Sequence, residues 1–400
     1  MNRIQTKNPY QVYVYTCFFS QLFFTLIFTM NLLYQVKVVM LDPFQLVLVG
    51  AVLELTIFLF EIPTGIVADL KSRKLSIVIG YFLIGIGFLV EGVFPYFLTV
   101  LLAQVVWGIG YTFTSGAQQA WIADEIGEER ASLAFIRGAR AGNLGQVIAI
   151  PLSIITGYFM INLPIVIGGL CMIGLAIYLI SIMREENFKP LDKTERTSSW
   201  NNMKGSMGKV ISLSRVSFII RMIFLTALFF GFYSEGYDRL WISHFLEVSN
   251  LANLTDENLV FITGGIQFVV VLATFAALNL MNRISIHQNL RHIYIALFIG
   301  SVFIIISLVG FAISTYVVGL LTFYVIIQVT RSVMHPLEDV WLNKIIPESS
   351  IRATFFSVKG QVDAIGQIGG GPIIGYIATS FTVRIALIVS AILLTPSLLI

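Results

Sequence analysis

A few ionisable side chains stand inside long apolar stretches of the sequence, where a carboxyl group can carry a proton. Glu54 lies near the middle of one such stretch, and no basic residue stands within four positions of it. Burial among apolar groups disfavours the charged form of a carboxyl, so a desolvated glutamate can take up and release a proton. Glu54 is therefore the first candidate for proton transfer, followed by Asp238 and Asp339.

Other polar side chains recur on single faces of the helices that these stretches predict. At about 100° per residue, polar residues of three stretches each fall within a narrow arc, which predicts a polar cavity rather than a lipid-facing surface. The predicted cavity residues are Gln104, Tyr111, Ser115, Gln118, Glu235, Arg239, Gln328 and Arg331.

Some of these charged residues could have a structural role in place of a functional one. Glu235 and Arg239, and likewise Lys359 and Asp363, stand four positions apart and could neutralise each other along one helix. For both pairs the sequence leaves a structural and a functional role open.

The composition identifies the surroundings of these charges as a lipid bilayer. The chain of 400 residues is 57% hydrophobic and only 12% charged, with a mean hydropathy of +0.86. Soluble proteins are about 25% charged because water must solvate their surface. Most of this surface must therefore face lipid.

Apolar stretches with few charges predict an all-α membrane protein with twelve transmembrane helices, each long enough for a bilayer core of roughly 30 Å. The predicted spans are 11–35, 45–68, 74–93, 97–122, 132–160, 164–183, 218–245, 258–281, 293–312, 316–342, 353–379 and 382–400.

Lysine and arginine cluster in alternate loops, as the positive-inside rule requires. The basic side holds Arg3, Lys7, Lys71, Arg73, Lys74, Arg130, Arg283, Arg291, Lys344, Arg352 and the 184–217 linker. Both termini are predicted to be cytoplasmic. The short loops favour a multi-pass protein of a bacterial inner membrane.

The long basic linker suggests a division into an N-terminal six-helix bundle (1–183), a linker (184–217) and a C-terminal six-helix bundle (218–400). The linker is either a solvated tether or, over about 200–215, an amphipathic helix on the anionic leaflet.

The two predicted bundles share an internal repeat. Arg130-Ala-Ser and Arg352-Ala-Thr each precede a basic residue and a glycine, at an offset of 222 residues. Gly145-Gln146 and Gly366-Gln367 repeat at an offset of 221. The repeat predicts two related six-helix halves, an arrangement in which solute sites lie near the bilayer midplane.

The loop after the second span reads Gly65-Ile-Val-Ala-Asp69-Leu-Lys71-Ser-Arg73-Lys74. It resembles the signature of the major facilitator superfamily, Gly-x-x-x-Asp-[Arg/Lys]-x-Gly-[Arg/Lys]-[Arg/Lys]. Leu70 and Ser72 depart from it, and Ser72 would carry a modest cost if the backbone required a positive φ.

The resemblance implies a conformational latch on the cytoplasmic side. In the family the aspartate caps the start of the eleventh helix, and a basic residue pairs with an acid at the end of the fourth. The residues that match are Gly65, Asp69, Arg73, Asp124 and Arg130. The alternative is that the basic residues are only positive-inside anchors.

The whole pattern resembles the drug:proton antiporters, although an arginine common midway along their fourth span is replaced here by Gln104 and its neighbours. A glycine–proline run over 366–375 is either functional or simple packing. No nucleotide-binding P-loop is present, which argues against an ATP-driven pump.

The resemblance implies a non-enzymatic, proton-coupled exporter of amphipathic small molecules that works by alternating access. Its partners would be a small-molecule substrate, protons and membrane lipid, without a cofactor, metal or nucleic acid, and the chain would act as a monomer. The alternatives are a transporter of one polar or anionic metabolite, with Arg331 or Arg239 binding the anion, and a transport-inactive receptor or scaffold.

The topology has a direct test. Single cysteines introduced at Ser198 and Asn253 are expected to react with an impermeant thiol reagent from opposite sides of the membrane, Ser198→Cys from the cytoplasm. Labelling of both positions from one side would contradict the twelve-span topology.

Overall fold

A computed structural model describes residues 8–188, 208, 212, 218–248, 254–284, 289–346 and 349–399 of the chain. Within these ranges the regular structure is entirely helical. The helices are α1 (Pro9–Lys37), α2 (Pro43–Leu70), α3 (Arg73–Val93), α4 (Phe97–Thr114), α5 (Ala117–Ile126), α6 (Glu128–Phe159), α7 (Leu163–Ile182), α8 (Phe218–Val248), α9 (Asp256–Ile284), α10 (Leu290–Ile313), α11 (Val317–Ile345), α12 (Ser349–Ser380) and α13 (Val383–Leu394), followed by a 3-10 helix (Thr395–Leu399).

The helices account for all twelve predicted spans. Ten segments, with α4 and α5 counted together as Phe97–Ile126, are long and apolar enough to cross a membrane. The more polar α12 and the shorter α13, extended by its 3-10 turn, supply the other two. The prediction of an all-α membrane protein with twelve spanning helices is confirmed.

Parts of the predicted organisation fall outside the described residues. Arg3, Lys7, most of the linker and the two labelling positions, Ser198 and Asn253, lie there. The sidedness of the termini and the domain boundaries at 183 and 218 stay predictions.

The predicted fourth span is interrupted rather than continuous. It ends as α4 at Thr114 and resumes as α5 at Ala117, and Gly116 between them has a φ of 71°. Glycine adopts this left-handed conformation without the steric cost that a Cβ imposes. Residues on the two sides of this break therefore do not share one helical face, as the predicted stripe from Gln104 to Gln118 requires.

Ser72 begins α3 and carries no backbone strain. Its φ of −177° is extended, and its hydroxyl accepts a hydrogen bond from the backbone N–H of Leu75 at 2.9 Å. Ser72 is thus an N-cap, which is a preferred role for serine. The cost expected for replacing the signature glycine is absent.

The chain divides into two compact units. The first contains α1, the part of α2 from Val52 onward, α3 to α7 and the start of α9 up to Gly264. The second contains the start of α2 up to Ala51, α8, the rest of α9 and α10 to α13.

Each unit repeats the same pattern of helix packing. In the first, α1 packs on α6 and α7, and α3 packs on α4 and α7. In the second, α8 packs on α12 and α13, and α10 packs on α11 and α13. These pairs correspond one to one along the chain, as the internal repeat predicts.

The repeated glycines mark the closest approaches within corresponding helix pairs. A Cβ on Gly145 of α6 would lie 2.5 Å from the carbonyl oxygen of Phe18 on α1. A Cβ on Gly366 of α12 would lie 2.3 Å from the carbonyl oxygen of Leu228 on α8. Small residues let membrane helices pack backbone to backbone, so packing explains these two glycines.

Gly366→Ala is expected to destabilise the second unit, because its methyl group would overlap backbone atoms that cannot rotate away. Overpacking of this kind costs about 1–3 kcal/mol. The measurement is the thermal unfolding midpoint of the detergent-solubilised protein. Gly360→Ala on the same helix is the matched control, since open space surrounds that position. Equal midpoints for the two variants would contradict the close approach.

Candidate functional site

The signature loop of the first unit holds a three-residue ion-pair cluster centred on Arg73. The Nη1 atom of Arg73 lies 3.2 Å from Oδ1 of Asp69, four residues earlier at the end of α2, and its Nε atom lies 2.6 Å from Oδ2 of Asp124 on α5. The structure therefore joins the ends of α2, α3 and α5, bringing together three residues of the predicted latch.

The segment that follows α7 packs against this cluster. The ring centroid of Phe188 lies 5.9 Å from the guanidinium carbon of Arg73. The Glu185 carboxylate accepts hydrogen bonds from the Ser72 hydroxyl and from the Lys74 backbone N–H, the latter at 3.0 Å. A carboxylate in this position stabilises the exposed N–H groups at the start of α3.

The same segment is anchored to α5 as well. Oε1 of Glu125 accepts hydrogen bonds from the backbone N–H groups of Glu186 at 2.9 Å and Asn187 at 3.0 Å. The indole N–H of Trp121 donates to the carbonyl of Arg184 at 2.7 Å. Residues 184–188 are therefore part of the site, which the sequence did not indicate.

The other two predicted latch residues stand apart from the cluster. Arg130 is exposed near the start of α6 and makes no ion pair with another described residue. Gly65 has open space at its Cβ position, so nothing within the described residues requires glycine there sterically.

A cavity of about 410 Å³ lies inside the second unit, between α8, α10, α11 and α12. Its wall on α8 is a stripe at four-residue spacing, Thr226, Phe230, Ser234 and Asp238. Tyr294 of α10 contributes to the opposite wall. Further aromatic lining comes from Phe298, Trp341 and Phe356.

Two ion pairs between helices line this cavity. Arg331 of α11 donates to both carboxylate oxygens of Asp238 on α8, at 2.5 and 2.8 Å. The Lys359 ammonium of α12 lies 2.8 Å from Oε1 of Glu338 on α11. Of the two roles left open for Lys359 and Asp363, an ion pair along one helix is not the one formed, because the Lys359 ammonium pairs with Glu338 on a neighbouring helix.

Asp363 is the remaining carboxylate of the cavity wall. Among the described residues, its hydrogen-bond donor is the side-chain amide of Gln367, at 2.8 Å. The other two carboxylates face a guanidinium and an ammonium group. The lining therefore carries one surplus negative charge when Asp363 is ionised and His335 is neutral. Such a lining favours a cationic guest over an anionic one.

Only some of the predicted cavity residues line the cavity of the second unit. Arg331 does, and so does Asp238, which the sequence indicated as a proton-transfer candidate. Glu235 and Arg239 instead form a separate pair, Nε to Oε1 at 2.9 Å, with the Glu235 side chain 6% exposed. This ion pair along one helix is the structural alternative that the sequence left open for Glu235 and Arg239. The Gln328 side chain hydrogen-bonds to a tyrosine hydroxyl, and Asp339 is exposed outside the cavity wall.

The predicted stripe of the fourth span is distributed over different surroundings. Gln104 is buried and donates to the Glu91 carboxylate at 3.1 Å. Tyr111 and Ser115 are exposed, and Gln118 lies beyond the break, where it accepts a hydrogen bond from the Tyr81 hydroxyl at 3.0 Å. The four residues do not form one binding face.

Glu54 is half-buried on the part of α2 that belongs to the first unit. Its carboxylate acts electrostatically on the Tyr111 hydroxyl, as does that of Glu61 two turns later. This placement brings one proton-transfer candidate close to one of the predicted cavity residues.

The uncharged residues that line the cavity were not predicted from the sequence. Thr226, Phe230 and Ser234 precede Asp238 at intervals of four residues, a helical stripe that was visible but carried no charge to draw attention. Lys359, Asp363 and Gln367 show the same spacing on α12.

A membrane protein of twelve helices in which two units repeat one packing pattern, with an internal cavity and paired charges, is a membrane transporter. The profile of the Major Facilitator Superfamily matches residues 13–323. The chain belongs to this superfamily.

Comparisons with individual proteins agree with this assignment. The chain is 26% identical over 370 residues to the MFS-type transporter YxaM of Bacillus subtilis, covering 90% of this chain and 87% of YxaM. Among solved structures, it resembles a bacterial homologue of the human lysosomal transporter Spinster, at a TM-score of 0.75 and 15% identity, over 98% of this chain and 95% of that one. It also resembles the nucleoside transporter NupG, at a TM-score of 0.72 and 15% identity, over 98% of both chains. At these identities the two solved structures establish the fold alone.

The ion-pair cluster at Arg73 leads to a prediction for transport. Asp69→Asn removes one of the two carboxylates on Arg73 and is expected to leave membrane insertion intact while slowing transport several-fold. The measurement is substrate flux in reconstituted vesicles at equal protein density.

Glu186→Gln is the control for this prediction. It removes a carboxylate from a more exposed ion pair, that with Arg184, and keeps the backbone N–H by which Glu186 contacts Glu125. Its flux is expected to match that of the wild type. Parental flux in Asp69→Asn would show that the cluster has no role in the transport cycle.

Proposed function

We propose that the chain is a proton-coupled exporter of amphipathic small molecules, and that its substrates carry a positive charge. The observation that carries the proposal is the cavity of the second unit, with apolar and aromatic walls and a surplus carboxylate at Asp363. Its volume of about 410 Å³ is within the range of sites for drug-sized ligands.

The aromatic lining supports a cationic guest independently of the net charge. Phe230, Tyr294 and Trp341 supply ring faces, and cations are attracted to such faces. An amphipathic cation would place its apolar body against these rings and its charge toward the carboxylate of Asp363.

The alternative of a polar or anionic metabolite has less support. It requires Arg331 or Arg239 to bind an anion, but both guanidinium groups are engaged, with Asp238 and Glu235 respectively. An incoming anion would have to displace a carboxylate already held at hydrogen-bond distance. Breaking a buried pair is costly because it leaves an uncompensated charge.

Proton coupling rests on carboxyl groups within the spans. Glu54 remains the first candidate, because it is half-buried near the middle of the spanning helix α2. Asp238 is engaged by Arg331, and Asp339 is exposed. The export direction follows from the resemblance to the drug:proton antiporters.

The proposal is tested with vesicles that carry an imposed pH gradient and the fluorescent cation ethidium. Wild-type protein is expected to move ethidium against its concentration gradient. Asp363→Asn removes the surplus charge and is expected to lower ethidium flux at least tenfold. Glu54→Gln is expected to keep downhill ethidium exchange and to lose gradient-driven accumulation.

Glu247→Gln is the matched control, since it neutralises an exposed carboxylate of the same unit that lies outside the cavity wall. Its flux is expected to be unchanged. Transport of an anionic dye in place of ethidium, with Asp363→Asn at the parental rate, would instead support the anionic-metabolite alternative.

A further inference from the structure

Glu91 is the one charged residue between Lys74 and Asp124 in the sequence. It lies on α3 in the first unit, far along the helix from Arg73, and it is 0% exposed. A charge so isolated in a spanning segment requires partners that the protein itself supplies.

Side-chain amides from two other helices surround the Glu91 carboxylate. Its Oε1 atom accepts hydrogen bonds from Nδ2 of Asn31 at 2.8 Å and Nε2 of Gln35 at 2.7 Å, both on α1. Its Oε2 atom accepts one from Nε2 of Gln104 on α4 at 3.1 Å. These contacts join α1, α3 and α4 through one carboxyl group.

One atom of this cluster lacks a hydrogen-bond partner. The Oε1 atom of Gln35 is an acceptor, the residue is 0% exposed, and no described group donates to it. Buried polar atoms almost always have a partner, so an unsatisfied acceptor beside a carboxylate calls for an additional donor.

A proton on Glu91 would supply that donor. The amide N–H of Gln35 already donates to the carboxylate, and a carboxylic acid O–H can donate back to the amide oxygen. The acid and the amide then share two hydrogen bonds in a ring. The ionised carboxyl group, which only accepts hydrogen bonds, cannot form this arrangement.

We propose that Glu91 and Gln35 form a proton-binding site within the first unit. A proton delivered from water forms one O–H bond on the carboxylate, which becomes neutral, and the same bond breaks when the proton leaves. The role of this site in transport rests on the proposed proton coupling, whereas the proton binding itself does not.

The surroundings contain few other titratable groups. The Tyr34 hydroxyl of α1 donates to the backbone carbonyl of Glu91 at 2.6 Å, and Lys37 ends the same helix two residues after Gln35. The packed helices α4 and α7 contain no Asp, Glu, Lys or Arg. On α5, Asp124 and Glu125 are engaged at the opposite end of α3.

Protonation would change how the three helices are held. Hydrogen bonds to an ionised group are roughly twice as strong as those between neutral groups, so a neutral Glu91 holds Asn31 and Gln104 less firmly. Gln104 in turn accepts a hydrogen bond from the indole N–H of Trp107 at 2.9 Å. A proton at Glu91 thus acts on α1 and α4 together.

The test is infrared difference spectroscopy of the full chain in lipid, between mildly alkaline and mildly acidic solution. In acidic solution the wild type is expected to gain the C=O stretching band of a protonated carboxyl group, and this band is expected to be absent from the spectrum of Glu91→Gln. Glu54→Gln is the matched control and is expected to retain that component. Identical difference spectra for wild type and Glu91→Gln would overturn the proposal and leave Glu91 as a structural group whose protonation does not change.

If Glu91→Gln fails to fold, a second variant tests the pairing of Glu91 with Gln35. Gln35→Met removes the acceptor of the acid proton, so the C=O band is expected to move to higher wavenumber, and an unmoved band would overturn the pairing. Ethidium flux is measured on the same samples. If wild-type vesicles show no proton-coupled ethidium flux although the Glu91 band is present, the proposed function is contradicted but the proton-binding site is not.

Discussion

Lipid cannot solvate a charge, so every ionised side chain within a span depends on partners from the protein. This constraint organises the second unit, where Asp238 and Arg331 meet between α8 and α11, and Glu338 and Lys359 between α11 and α12. The first unit satisfies Glu91 in another way, with neutral amides from α1 and α4. In each case the charge fixes which helices lie side by side.

Other helices are held together by direct backbone packing. Glycines permit it between α8 and α12, where Gly231 and Gly366 face each other's backbone. The ion pairs at Arg73 are different, because their side chains are partly exposed at the end of the spans. Exposed pairs contribute little net stability, which is compatible with the latch role that the resemblance implies for this cluster.

The spanning helices could be predicted from the sequence because their composition is apolar. The cluster of Asp69, Arg73 and Asp124 could be predicted because a motif with fixed spacing indicates it. Prediction failed where the partner of a residue lies on another helix. Lys359 has an acid one turn away, yet pairs with Glu338, because a pattern along one helix contains no information about its neighbours. The stripe predicted from Gln104 to Gln118 does not continue to Gln118 in one helical phase, because Gly116 interrupts the helix before it.

Glu91 was missed for a related reason. Its partners Asn31, Gln35 and Gln104 are neutral and distant in sequence, so no charge pattern connects them. The available signal was its isolation between Lys74 and Asp124.

The anchoring of residues 184–188 determines where the polypeptide can be divided into separately produced halves. A break directly after α7 would remove Glu185 from the start of α3 and the backbone donors from Glu125. A break beyond Phe188 leaves those contacts on the N-terminal fragment. The natural end of the first half, defined by its hydrogen bonds, therefore lies several residues past its last membrane helix.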